Sequence, residues 1–228
     1  MRSFPALLPA LLSACLMTSV ALLSASLTAP AALMAAPADA LATGTKDGAP
    51  PPPDPVFGKA IVIVFSQTGK TMRIAELIAA KTGADIYKIE PTVPFPPHEG
   101  EIIGLEETRR AEGIPAEIKG PKPDLTPYSF VFLGAPVWFG GIPDHVALFL
   151  KDIDFGGRRM AIFASAGSQP GDIVKKLATA SKGGAVIAPG LVNKREDDWG
   201  DAAMETLVEE YLVALKKSLN DPPAAGAR

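Results

Sequence analysis

Ala60-Ile61-Val62-Ile63-Val64-Phe65-Ser66-Gln67-Thr68-Gly69-Lys70-Thr71 passes from an unbroken apolar run into hydroxyl groups gathered around one glycine. The run has the length and β-branched content of a strand covered on both faces. Directly after it Ile74, Leu77 and Ile78 recur at helical spacing, and Gly83 supplies a stop. A loop that leaves the carboxyl end of a buried strand and opens a helix is where anions bind. Free N–H groups and the positive end of the helix dipole converge there. Ser66, Thr68 and Thr71 add hydroxyl donors, and Gly69 permits close backbone approach.

The alternation of apolar runs and amphipathic stretches continues along the chain. Candidate strands cover 60–65, 84–90, 130–134, 160–164 and 184–188. Helical stripes fall between and after them at Val146, Phe149 and Leu150, at Ile173, Val174 and Leu177, and at Met204, Leu207, Val208, Tyr211, Leu212 and Leu215. Strand and helix in alternation predict an α/β fold, a doubly wound five-stranded parallel sheet with helices on both faces. Residues 85–90 mix polar side chains into their run, which predicts that the second strand lies at an edge. Residues 91–127 form an irregular, proline-containing insertion with one helix expected around 102–111.

Arg2 is the only charge before Asp39, and the residues between are almost all Leu, Ala, Ser, Met and Val. Residues 1–42 therefore read as an export signal, with cleavage expected after Ala40 or Ala42. Leu12-Ser13-Ala14-Cys15 also fits a lipobox that would lipidate Cys15, and the apolar run is long enough to stay as a membrane anchor. The protein is expected to be periplasmic or secreted, or held to a membrane through this segment. Residues 43–58 read as a proline-rich linker, 59–220 as the folded domain and 221–228 as a disordered tail. Cys15 is the only cysteine, so the folded part has no disulfide, thiolate metal site or cysteine nucleophile. The net charge is −3, and losing Arg2 and Asp39 with the signal leaves it there, which excludes a nucleic-acid partner.

The Ser66–Thr71 cluster has competing readings. Ser and Thr cap helices well without any ligand. The end Thr68-Gly69-Lys70-Thr71 also suggests a nucleotide-binding P-loop, but Val64 stands where that motif requires glycine. The order Ser66, Thr68, Gly69, Thr71, then Ala75 and Ile78, resembles the phosphate loop of the flavodoxin family. That resemblance implies the strand order 2-1-3-4-5 and FMN as cofactor, with its phosphate wrapped by Ser66, Gln67, Thr68, Gly69, Lys70 and Thr71. Lys70 departs from the commoner Asn and adds a direct charge contact.

A second loop, Gly134-Ala135-Pro136-Val137-Trp138-Phe139-Gly140, resembles the family's Gly-x-Pro-x-Trp loop, which implies that it flanks the flavin ring. Trp138 offers a broad apolar face at the carboxyl edge of the sheet, where ligands of open α/β sheets lie. Ser165, Ala166, Gly167 and Ser168 stand where the family has its other flavin-contacting loop. Tyrosine occurs only at 87, 128 and 211, so none stacks in that third loop, and Val64 replaces an aromatic residue common in the family.

His98 and His145 are the only histidines and neither has ligand-like spacing, so no metal site is expected. His145 is expected as a surface or first-turn polar residue without a role. No catalytic side chain is assigned, because a bound flavin would carry the chemistry. The readings that follow are an electron carrier, an FMN-dependent NAD(P)H:quinone-type oxidoreductase, or a flavin-free binding module. Expected partners are a redox protein or a small-molecule electron acceptor, with membrane contact only through the N-terminal segment.

Overall fold

The computed structural model describes residues 51–221 apart from 168, 195, 196 and 198. The expected export segment, residues 43–50 of the linker and 222–228 of the tail lie outside the described residues. In chain order the elements are β1 (Ala60–Val64), α1 (Lys70–Thr82), β2 (Asp85–Lys88), α2 (Glu99–Ala111), β3 (Phe130–Pro136) and α3 (Asp144–Lys151). They continue with β4 (Arg159–Ala166), α4 (Ile173–Ala180), β5 (Ala185–Val186), β6 (Leu191–Lys194) and α5 (Asp201–Asn220).

The strands form one parallel sheet in the order β2-β1-β3-β4-β5. The polar second strand lies at its edge, as its composition predicts. β3 pairs with β4 over its whole length, Phe130 opposite Arg159 through Pro136 opposite Ser165. Alternate residues of the central strands feed two cores. Val62, Val64, Phe132 and Phe163 face Ile74, Ile78, Val208 and Leu212 of α1 and α5. Ile61, Ile63, Leu133 and Ile162 face Val146, Phe149 and Leu177 of α3 and α4. This two-sided burial explains the uninterrupted apolar runs. It also brings the loops after β1, β3 and β4 to the same carboxyl edge.

The fifth position differs from the expectation of one strand over 184–188. Ala185 and Val186 pair with Arg159 and Met160, and a second segment, Leu191–Lys194, pairs with Phe163–Ala166 of the same β4. Pro189, which has no N–H to donate to a ladder, separates the two. At Gly190 an added Cβ would come within 2.5 Å of the Val174 side chain, so the chain passes tightly against α4 before pairing resumes. The stretch expected as a linker also contributes at its end. Phe57 is fully buried, its ring meeting those of Phe130 and Phe132 edge-on at 4.9 and 5.2 Å. The Asp54 carboxylate pairs with Lys216 at 2.6 Å. One aromatic side chain is enough to seat this segment on the core that the prolines alone would leave.

Candidate functional site

The loop Phe65–Gly69 leaves β1 and turns into α1 through Gly69, whose φ of 86° is left-handed and whose Cβ position is open to 4 Å. No side chain caps this helix start. The Ser66 Oγ and the Gln67 Nε2 are buried without a hydrogen-bond partner. Thr71 is engaged instead, its hydroxyl sharing a 2.8 Å hydrogen bond with that of Ser165 near the carboxyl end of β4. Capping therefore does not account for these hydroxyls: Ser66 is uncommitted, and Thr71 ties the start of α1 to the end of β4.

The loop after β3 is joined to the same neighbour, the Val137 N–H donating to the Ser165 carbonyl at 2.8 Å. Its tip is a tight turn in which Trp138 and Gly141 exchange backbone hydrogen bonds of 3.1 and 2.8 Å. The two central residues, Phe139 and Gly140, have φ of 48° and 70°. A left-handed phenylalanine is strained, and such residues gather at ligand sites. The Trp138 indole is braced by Phe65 and Phe95, each 5.3 Å away and nearly perpendicular to it. Its position is thus set by packing before any ligand arrives.

These loops enclose a cavity of about 360 Å³, within the range of small-molecule sites. Of the residues predicted for the site, Ser66, Gln67, Thr68, Lys70 and Thr71 line it, with Pro136, Val137, Trp138 and Phe139 and with Ser165, Ala166 and Gly167. Gly69 and Gly140 are turn residues outside the lining, Ala135 is fully buried in β3, and Ser168 lies outside the described residues.

The fourth wall is α2, which was not read as part of a site: Glu99, Ile102, Ile103, Glu106 and Glu107 face the cavity. Their spacing of three and four is a helical stripe, but three of the five are glutamates, so the stripe does not read as apolar. α2 enters neither core and is held at its ends by charge. Lys70 pairs with Glu99 at 3.6 Å. Arg109 donates twice to Glu106, at 2.8 and 2.9 Å, and also bonds Asp144 of α3. Arg110 pairs with Asp144 at 2.8 Å and lies 4.3 Å from the Phe139 ring centroid. Burial would raise the Asp144 carboxyl, but the two arginines outweigh it and hold its pKa below the ordinary value.

His145 is not on the surface. It sits in the first turn of α3 on the inward face shared with Phe149 and is 4% exposed, because the four-residue step of the helix points both toward the sheet. Its ring stacks on Phe65 at 5.5 Å and 10°, and its Nδ1 is buried without a partner. Burial lowers its pKa, with Glu106 and Asp144 opposing and Arg109 assisting.

Uncommitted donors at an open helix start, an indole wall and an aliphatic helix face suit a planar ligand that ends in an anion. A family model described as flavodoxin matches residues 59–207. No curated protein matches the chain. Among solved structures, a Bacteroides uniformis protein assigned as a flavoprotein aligns with TM-score 0.52 and 22% identity, over 68% of this chain and 99% of that one. A Bacteroides eggerthii protein of the same assignment aligns with TM-score 0.50 and 23% identity, over 69% and 97% of the two chains. A Lactobacillus acidophilus flavoprotein, solved in complex with FMN, aligns with TM-score 0.49 and 18% identity, over 60% and 93%. At such identities the likeness is one of fold.

Proposed function

This chain belongs to the flavodoxin family, and on that premise we propose that it binds FMN non-covalently in the cavity at the carboxyl edge of the sheet and transfers electrons outside the cytoplasm. The observation that carries the reading is the buried, unpartnered Ser66 hydroxyl at a helix start that no side chain caps. A buried hydroxyl left without a partner is unfavourable, and a phosphate there would supply one.

The residues present fit the group. Ser66, Gln67 and the open backbone at Gly69 would hold the phosphate, with Lys70 adding charge. Trp138 would face the ring system, and Ile102 and Ile103 would close the opposite side in place of a third-loop tyrosine. Bound FMN supplies both one-electron and hydride chemistry. The α2 wall favours a second reading, an oxidoreductase passing electrons to a small acceptor, because a roofed crevice admits a small molecule more readily than a protein surface. The extracytoplasmic setting rests on the apolar segment 1–42.

The test is to express the full chain, fractionate the cells, incubate the purified protein with excess FMN, desalt it, and record absorption and mass. We expect about one flavin retained per chain and recovery outside the cytoplasm with a start near Leu41 or Thr43. A colourless protein would overturn the cofactor and promote a flavin-free binding module, and cytoplasmic recovery of the uncut chain would overturn export.

A further inference from the structure

We infer that Glu99 is a specificity-determining residue: it competes with the ligand's phosphate for Lys70, so the site grades flavins by the charge at their phosphate end. This rests on the FMN reading and deepens it.

Lys70 opens α1 and is the one cation among the described residues lining the cavity. Its ammonium already has company, the Glu99 carboxylate at 3.6 Å and the Trp199 ring centroid at 5.7 Å. Glu106, also on the lining, is matched by Arg109 and has no call on Lys70. A flavin phosphate carries roughly −1.5 to −2 charges near neutrality. Seated at Ser66–Gly69 beside Lys70, it meets a partly compensated cation and the carboxylate that compensates it. Glu99 thus acts twice against the phosphate, by sharing Lys70 and by like-charge repulsion, while a flavin without phosphate feels neither.

The side chains of Lys70 and Glu99 are 43% and 45% exposed, so the coupling is that of a solvated pair. A change of roughly two- to fivefold in affinity is expected, shrinking as salt screens it. Glu99 also stands in the first turn of α2, where the helix dipole favours an acid, so its replacement loosens that wall slightly. Loosening would weaken every flavin alike, which makes the ratio of affinities the informative quantity.

The experiment is a fluorescence titration of the protein, Glu99→Gln and Lys70→Gln with FMN and with riboflavin, at low and high salt. The expected result is an FMN-to-riboflavin affinity ratio that rises in Glu99→Gln and falls in Lys70→Gln, both changes fading with salt. A ratio unchanged in both variants while the flavins still bind would overturn the inference and leave the FMN reading standing. A ratio that falls in Glu99→Gln would show that Glu99 positions Lys70 for the phosphate, and a change confined to Glu99→Gln would leave only repulsion; either overturns it. If the unaltered protein binds neither flavin, the FMN reading fails and this inference with it.

Discussion

Ser66 carries a cost that a ligand would remove. Its hydroxyl is buried without a partner in the protein, which is unfavourable by roughly 1–3 kcal/mol. Ser66→Ala should therefore leave the melting temperature of the flavin-free protein unchanged or slightly raised. The same substitution should weaken FMN by about 1.5–3 kcal/mol, the worth of a hydrogen bond to a charged group. Parallel thermal melts and titrations would check this, and a drop in stability without a change in affinity would show the hydroxyl to be structural. Thr71 follows a different logic, since its hydroxyl already spans to Ser165 and ties the first turn of α1 to the end of β4. The cluster was legible from residue types alone as a hydroxyl-rich turn that opens a helix. Which hydroxyl is spoken for was not, because the Thr71 partner lies 94 residues away.

The α2 helix was expected around 102–111 and spans Glu99–Ala111, so its existence was readable from local pattern. Its place as a wall of the site was not. It is secured by ion pairs instead of an apolar stripe, and the partners Lys70 and Asp144 come from other parts of the chain. The pairs differ in weight. The Glu106 side chain is 1% exposed, so removing its partner strands a buried charge. Arg109→Met should cost about 3–5 kcal/mol. Arg110, whose side chain is 33% exposed, bonds a carboxylate that Arg109 also serves. Arg110→Met should cost about 1 kcal/mol or less. Urea denaturation of both variants measures the difference, and equal losses would refute the account of Glu106 as the anchored charge.

Across the whole molecule, stability should depend on pH through His145. Its pKa lies below the ordinary 6.5 in the fold, chiefly because burial disfavours the cation. Above 6.5 both folded and unfolded chains hold the ring neutral, and its contribution is fully present. As pH falls below that value the unfolded chain takes a proton that the folded chain resists, so stability declines down through the folded pKa. Asp54, partly buried beside Lys216, and Asp144 have lowered values and lose their contribution only below 3.8. The urea midpoint should thus fall between about pH 7 and about pH 5, and His145→Phe should flatten that fall. A midpoint that falls equally in His145→Phe would assign the dependence elsewhere.

The sequence by itself determined the α/β class, the edge position of β2 and the hydroxyl-rich turn from β1 into α1, with the flavodoxin resemblance supplying the strand order. Buried strands, amphipathic stripes and turn residues are local signals, set by burial and backbone preference within a few neighbours. Only the tertiary structure decided that the fifth strand position is shared by two segments, that Phe57 belongs to the core, that His145 is buried and that α2 walls the cavity. Each of those depends on contacts between residues far apart in the chain. Such contacts are made by packing and by charge pairing once the sheet has brought its loops together, and no local pattern encodes them.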